Sequence, residues 1–484
     1  MANAIDGLKP SLVWKYFAEI SLIPRGSKNE AAIGNYLMAT AKKLGLEALQ
    51  DAAGNVLARK PASAGRVGVA SVCLQGHMDM VCEKNKDTVH DFLKDPLKLV
   101  RKDNFMTASG TTLGADNGIA VATCLAIMED KTLKHGPLEF LFTVDEETGL
   151  TGANNLQPGF LKSAILMNLD SEDEGELYVG CSGGRDNAGT WAAAWDDAPA
   201  GGAGLLVTVK GLKGGHSGLE IHTGRGNALK IVTRVLIGLG ALGARVAKIE
   251  GGNKRNAIPR EAEAIVSLPK ARAAEAAAYV AEMNKTIAAE LATVEPNLVI
   301  ACQAQKGVRK VLKKALQKKV LLTLAGLPHG VLKMSADIAG LVETSTNLAI
   351  IETGKKEIKV QTSQRSSVGS EIDEAALMVR AVFELGGAVA TGSDGYPGWK
   401  PNMASEVLKV VRDVYAKQWG KDPHVTAIHA GLECGLLGDK VPGLDMISFG
   451  PQMEGVHSPD ERLNIPSVGR FYNALATVLD RLSS

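Results

Sequence analysis

Five short segments rich in acids and histidines constrain this chain more than any other feature. They are Gly76-His77-Met78-Asp79, Gly114-Ala115-Asp116-Asn117-Gly118, Asp145-Glu146-Glu147-Thr148-Gly149, Asn168-Leu169-Asp170-Ser171-Glu172 and His457-Ser458-Pro459-Asp460-Glu461. Four of them follow apolar runs of strand character, at 72–75, 138–144, 165–167 and 446–449, and the Asp116 segment opens a helical stretch. Strand, polar turn and helix in succession is the texture of an α/β sheet, and such sheets build their sites at the carboxyl ends of strands.

The expected elements fill in around these segments. Ser27 and Glu30 have capping-box spacing, and Ile33, Leu37 and Leu44 then mark one helical face that ends at Gly45. Strands are expected at 55–59, 67–74, 138–144 and 164–169, with a helix over 116–130. Near Gly183 and Gly184 the texture changes to a loose Ala/Gly/Asp stretch. Strands at 205–209, 262–268, 348–352 and 357–362 follow, with helices at 227–239, 273–292 and 374–385. This is a βαββαβ-like order with an insertion. The insertion, KGVRKVLKKALQKKVL, reads as a basic amphipathic helix buried through Val308, Leu312 and Leu316. After the turn-rich stretch 392–401, helices at 405–418 and 467–482 and strands at 425–428 and 445–449 restore the first texture. The expectation is an α/β protein with a discontinuous catalytic domain, its mixed sheet flanked by helices, interrupted by an inserted α+β lid domain. The boundaries fall at 1–187, 188–396 and 397–484.

Composition narrows the function classes. With 484 residues, 45% hydrophobic and 22% charged, the chain can bury a core and is not a disordered one. The formal net charge is +1 and aromatics are 4%. There is no overall positive field for nucleic acid or an anionic membrane, and little to stack bases on. The six cysteines are scattered without a CxxC pair, so neither a disulfide framework nor a zinc knuckle is expected. The start shows no basic leader followed by an apolar run. The longest apolar stretch, 235–244, is too short to span a bilayer. A cytoplasmic protein is the expectation.

Chemistry gives the five segments a common reason. Two divalent ions ~3.5–4 Å apart need a bridging ligand and terminal ligands on each side. Asp116 as bridge, Glu147 and Asp170 as terminal carboxylates and His77 and His457 as imidazoles form such a set for zinc. Asp79, two residues from His77 on an extended backbone, can orient that ring. Glu146 stands beside a ligand as a candidate general base. Singly, each piece has an ordinary explanation: a surface turn for HxD, a solvated face for Glu-Glu, a helix cap for Ala-Asp-Asn-Gly. The pattern alone leaves both readings open.

The stretches QGHMDMV, GTTLGADNGIA, DEETG, NLDSEDEGELYVGCSGG, GLKGGHSGLEIH, RNAIPRE, HAGLECG and GPQMEGVHSPDE resemble the aminoacylhistidine dipeptidases, along nearly the whole chain. These Xaa-His or cytosolic non-specific dipeptidases belong to the co-catalytic zinc peptidase superfamily. The resemblance implies metal ligands at His77, Asp116 (bridging), Glu147, Asp170 and His457, with Glu146 as general base and Asp79 behind His77. It implies a cis bond between Asp116 and Asn117. In the lid it implies His216 over the scissile carbonyl or substrate carboxylate, Asn256 as a substrate contact, Arg365 for the free carboxylate and Gly431 as a backbone donor to it. Two divalent metals are implied, zinc with cobalt or manganese as substitutes, and small peptides as substrates. Related lids often pair, so a homodimer through the lid is one assembly left open.

The other histidines, His90, His135, His222, His329, His424 and His429, have no ligand partner at useful spacing, and Cys434 reads as a buried structural thiol. Two other functions compete. One is a related amidohydrolase acting on N-acyl amino acids. The other is a metal-dependent binding protein without activity, against which the intact Glu146 argues.

Overall fold

Strands Val72–His77 and Leu138–Thr143 are buried at every position, the mark of sheet strands covered on both faces. The computed structural model, which describes residues 4–484, places them at the centre of an eight-stranded mixed sheet. Its order is Glu47–Gln50, Val56–Lys60, Leu138–Thr143, Val72–His77, Ile165–Asn168, Asp445–Ser448, Glu176–Cys181, His424–Ile428. The strands Leu138–Thr143, Val72–His77, Ile165–Asn168 and Asp445–Ser448 run parallel to one another, so their carboxyl ends line up along one edge. The helix Ala115–Glu129 is buried along almost its whole length. It packs on Val72–His77 and against the helix Ser11–Ile20. Gly76 permits that approach: a Cβ there would stand 2.4 Å from Asn117 Oδ1 and 2.7 Å from Ala120 Cβ. A four-stranded sheet joins Met453–Glu454 and Arg462–Asn464 to Phe105–Ala108 and Leu99–Lys102, which draws the His457 segment beside the approach to Asp116.

The chain forms two compact units. The first comprises the chain to Cys181, Trp399–Ala427 and Leu432–Ser484; the second comprises Ser182–Gly398 and Ile428–Gly431. The second unit is built on an antiparallel sheet of nine strands, among them Ala203–Lys210, Ala262–Leu268, Val342–Thr353 and Glu357–Ser366. In Ala203–Lys210, Leu205, Val207 and Val209 alternate inward, as a sheet with one covered face requires. They pack with Leu229, Val232, Val235 and Leu236 of the helix Ala228–Ala241 and with Val280 and Ile287 of Ala273–Glu290. Among the described residues no helix is long and apolar enough to cross a membrane.

Three local expectations are corrected. The strand expected from Val67 begins at Val72, and Val67 is 85% exposed. In the basic stretch, Val311 and Leu312 are buried in a short strand, Lys310–Leu312, paired with Trp195–Asp197. The helix therefore starts only at Lys314 and buries Val320, Leu321 and Leu324, leaving Val308 outside it. The capping box does not form. The helix Ala31–Lys43 has no side-chain cap; Ser27 Oγ donates to Asp79 Oδ2 (2.8 Å), and Glu30 Oε1 accepts the Asp145 N–H (2.9 Å). Both side chains serve strand-end segments instead of a helix.

Candidate metal centre and substrate pocket

His77 ends its strand fully buried, and its ring meets carboxylates on both sides. Nε2 stands 3.0 Å from Asp116 Oδ1 and 3.3 Å from Asp170 Oδ1. Nδ1 lies 3.2 Å from Asp79 Oδ1, a charge contact not aligned as a hydrogen bond. On the far side of Asp116, Oδ2 is 3.0 Å from His457 Nε2, which is also 3.0 Å from Glu147 Oε2. Asp116 is thus shared by two groups of donors, His77–Asp116–Asp170 and Asp116–Glu147–His457, each with its ligand atoms mutually within 4.8 Å. Glu146 and Glu147 form a third such group with His77.

The backbone around Asp116 is irregular. Gly114 is left-handed (φ 66°) and precedes Ala115, while Asp116 is extended (φ −79°, ψ 110°) and the Asp116–Asn117 bond is cis. Asn117 donates from Nδ2 to Leu169 O (3.0 Å) and accepts the His77 N–H (3.2 Å), joining three strand-end segments. Asp145 and His457 are non-glycine residues with positive φ, 50° and 63°. Such backbone is uncommon and gathers at functional sites. The Asp145 carboxylate is held by the hydroxyls of Thr148 and Thr151.

Electrostatically the cluster calls for positive charge. Burial would lower proton affinity at His77, but Asp170, Asp116 and Asp79 hold it well above its ordinary value. Hydrogen bonds to Asp116 and Glu147 push His457 up to about 11. Burial, reinforced by Asp116 and Glu147, pushes Asp170 up to about 7. Burial drives Glu146 well above the carboxylate range, with Asp170, Glu433 and Glu147 adding to it and His77 opposing. For Asp79 burial is outweighed by His77, Ser27 and the Glu146 N–H, which bring it down to about 2.

A divalent cation fits these residues. Donors held ~2.0–2.1 Å from a tetrahedral ion stand about 3.3 Å apart, close to the separations around Asp116. The buried Glu147 Oε1 has no hydrogen-bond partner among the described residues, a donor atom left for a ligand.

The second unit gathers another set. The strand Gly215–His216 pairs with Ala257–Ile258, which sets His216 beside exposed Asn256; the Ser217 N–H donates to Asn256 O (2.9 Å). His216 Nδ1 accepts the N–H groups of Gly218 (3.2 Å) and Leu219 (3.1 Å). The neutral ring therefore carries its proton on Nε2. Burial, with Arg365 nearby, brings His216 down to about 4. Arg365 is buried and donates to Tyr396 Oη (3.1 Å); its Nε has no partner among the described residues. Gly431 lies against the Tyr396 ring, where a Cβ would come within 3.0 Å. His429 is buried with Nε2 2.7 Å from Ser345 Oγ.

Several site residues escaped sequence reasoning. Tyr396 lies in the turn-rich stretch 392–401, where nothing in the sequence marks it. Glu433 is buried against strands Val72–His77 and Leu138–Thr143, accepting from Gln75 Nε2 (2.6 Å) and Thr143 Oγ1 (2.7 Å); burial pushes it up to about 7. Its signal was a lone acid inside an apolar motif. Cys434 is a buried free thiol, and the described cysteines form no disulfide.

An α/β fold with paired carboxylate and imidazole donors at its strand ends defines a metal-dependent hydrolase. Residues 73–481 match the model of peptidase family M20/M25/M40, and the chain belongs to that family of peptide-bond hydrolases. It is 40% identical over 481 residues to the cytosol non-specific dipeptidase of Escherichia coli, covering 99% of both chains. It superposes on the crystal structure of aminoacylhistidine dipeptidase from Vibrio alginolyticus with a TM-score of 0.93 and 42% identity, covering 99% of this chain and 98% of that one. The aminopeptidase PepT from Bacillus cereus shares the fold, with a TM-score of 0.57 and 16% identity over 99% and 100% of the two chains.

Proposed function

We propose that this protein hydrolyses unblocked dipeptides, Xaa-His dipeptides such as β-alanyl-histidine among them, with two divalent metal ions held by His77, Asp116, Glu147, Asp170 and His457. The observation that carries this reading is the Asp116 carboxylate, with one oxygen toward His77 and the other toward His457. The metals are zinc, with cobalt or manganese able to substitute; when bound they supply Lewis acidity toward the peptide carbonyl and the attacking water.

The chain's own residues do the rest. Glu146, whose burial raises its appetite for a proton, takes one from the attacking water and passes it to the leaving amine. Asp79 fixes His77 and receives the N–H groups of Glu146 and Glu147. The second unit acts as the lid. His216 donates its Nε2 proton to the carbonyl oxygen as negative charge develops there. Arg365 pairs with the substrate's free carboxylate as a planar fork, and Asn256 and the Gly431 N–H complete the contacts. A clamped carboxylate fixes the distance to the scissile bond and selects short substrates. The relative named for the cytosol supports a cytoplasmic location, and a homodimer through the lid remains part of the reading.

The test is a panel of Xaa-His dipeptides assayed beside N-acyl amino acids, on protein loaded separately with zinc, cobalt and manganese. Turnover of free dipeptides above the acyl substrates supports the reading; the reverse preference makes the enzyme an amidohydrolase of acylated amino acids.

A further inference from the structure

A pair of buried, oppositely charged side chains stands behind the metal centre without supplying a donor to it. Arg25 is 2% exposed, and its guanidinium donates to Met78 O (3.0 Å), Asp79 O (2.9 Å) and Gly114 O. Glu461 is also 2% exposed. One of its oxygens accepts the N–H groups of Leu113 (2.7 Å) and Gly114 (3.0 Å), the other those of Ala115 (2.7 Å) and Asp116 (3.3 Å). The two side chains bind complementary backbone groups of one loop. Arg25 binds the carbonyl of Gly114 and Glu461 binds its amide.

Gly114 leaves room for this. At φ 66° it turns its amide and carbonyl to the two partners, and a Cβ there would stand 2.6 Å from Arg25 Nη2. Three segments are tied by the pair. Arg25 joins the end of the His77–Asp79 strand to the Asp116 loop. Glu461 joins that loop to its own segment, which carries His457 four residues earlier and is pinned by Thr107 Oγ1 donating to Glu461 O (3.0 Å).

Resting on the metal reading above, we propose that Arg25 and Glu461 are positioning residues that set the spacing of the His77, Asp116 and His457 segments, so that the Asp116 carboxylate reaches both ions. Each acts through the backbone of the Asp116 loop and touches neither substrate nor metal. A carboxylate receiving four backbone N–H groups has little freedom to rotate. Loss of one acceptor oxygen leaves buried amides unpaired and frees the loop.

The experiment compares wild type with Glu461→Gln and Arg25→Lys, each stripped of metal and titrated with cobalt. Bound cobalt is counted by elemental analysis, and its visible absorption reports ligand geometry. Wild type is expected to take two ions per chain. Both variants are expected to bind cobalt about 10–100-fold more weakly, the usual cost of removing a partner behind a metal ligand, with a changed visible spectrum. Thermal unfolding of the metal-free forms separates this from a loss of stability. If both variants are less stable but bind cobalt with wild-type affinity and spectrum, the proposal is wrong. If neither folds without metal, the pair is a folding element and the proposal is equally wrong. Failure of wild type to bind cobalt would instead overturn the metal reading itself.

Discussion

Asp79 receives the N–H of Glu146 on one carboxylate oxygen (3.1 Å) while standing 3.2 Å from the ring nitrogen of His77. One side chain therefore contacts both an imidazole of the candidate metal centre and the backbone that presents the proposed base. Asp79→Asn would turn one of its acceptors into a donor facing N–H groups. The expected outcome is a 10–100-fold loss in metal affinity together with a fall in kcat, read by metal titration and steady-state kinetics. Wild-type values for both would remove Asp79 from the centre.

Glu146 and Glu147 are neighbours with different expected roles. Glu146→Gln should keep both metals and lose roughly 10²–10⁴-fold in kcat, the range for a general base. Glu147→Gln should lose metal, since its carboxylate stands 3.0 Å from His457 and its second oxygen has no partner among the described residues. Elemental analysis beside kinetics distinguishes them, and an exchange of the two phenotypes would reverse the assignment.

For His216 the expected phenotype is kinetic alone. His216→Ala should retain two metals per chain and drop kcat by about 10²–10³-fold, as for loss of one oxyanion donor, with a smaller change in KM. Unaltered kcat would make it a loop residue, and a missing metal would make it a ligand.

The candidate metal centre was legible in part from its segments, four of which follow apolar strand runs while the Asp116 segment opens a helix; the full ligand set came from the resemblance to the dipeptidase family. The structure brings His77, Asp116, Glu147, Asp170 and His457 together. What was not legible depends on contacts far apart in sequence. Ser27 and Glu30 fit a capping box by spacing, but Asp79 and the Asp145 amide compete for them and win. Arg25 and Glu461 leave no periodic trace, because they bind backbone groups of a loop rather than side chains. Val308, Leu312 and Leu316 have helical spacing, yet Leu312 is buried with Val311 in a two-stranded pairing with Trp195–Asp197, a partner far away in sequence.

Acid should destabilise the second unit through His429. Burial, with Arg365, His216 and His222 adding positive charge, brings it down to about 3 in the folded chain, against about 6.5 unfolded. The unfolded chain therefore binds the extra proton between those values. Stability is fully present above pH ~6.5 and falls as pH drops toward 3, by up to about 1.4 kcal/mol per pH unit from this group. Urea unfolding between pH 7.5 and 5 should show the loss, and His429→Gln should make it shallower, leaving the share of His216, which burial also holds low. An unchanged slope in the variant would assign the acid sensitivity elsewhere.

The proposed chemistry depends on a pair of ions sharing Asp116. Calorimetric titration of the metal-free protein with zinc, followed by dipeptide hydrolysis at each point, counts them and links them to turnover. Two ions per chain are predicted, with turnover appearing as the sites fill and both sites weakened in Asp116→Ala. Full turnover by protein shown to be metal-free, or undiminished binding of both ions by Asp116→Ala, would contradict it.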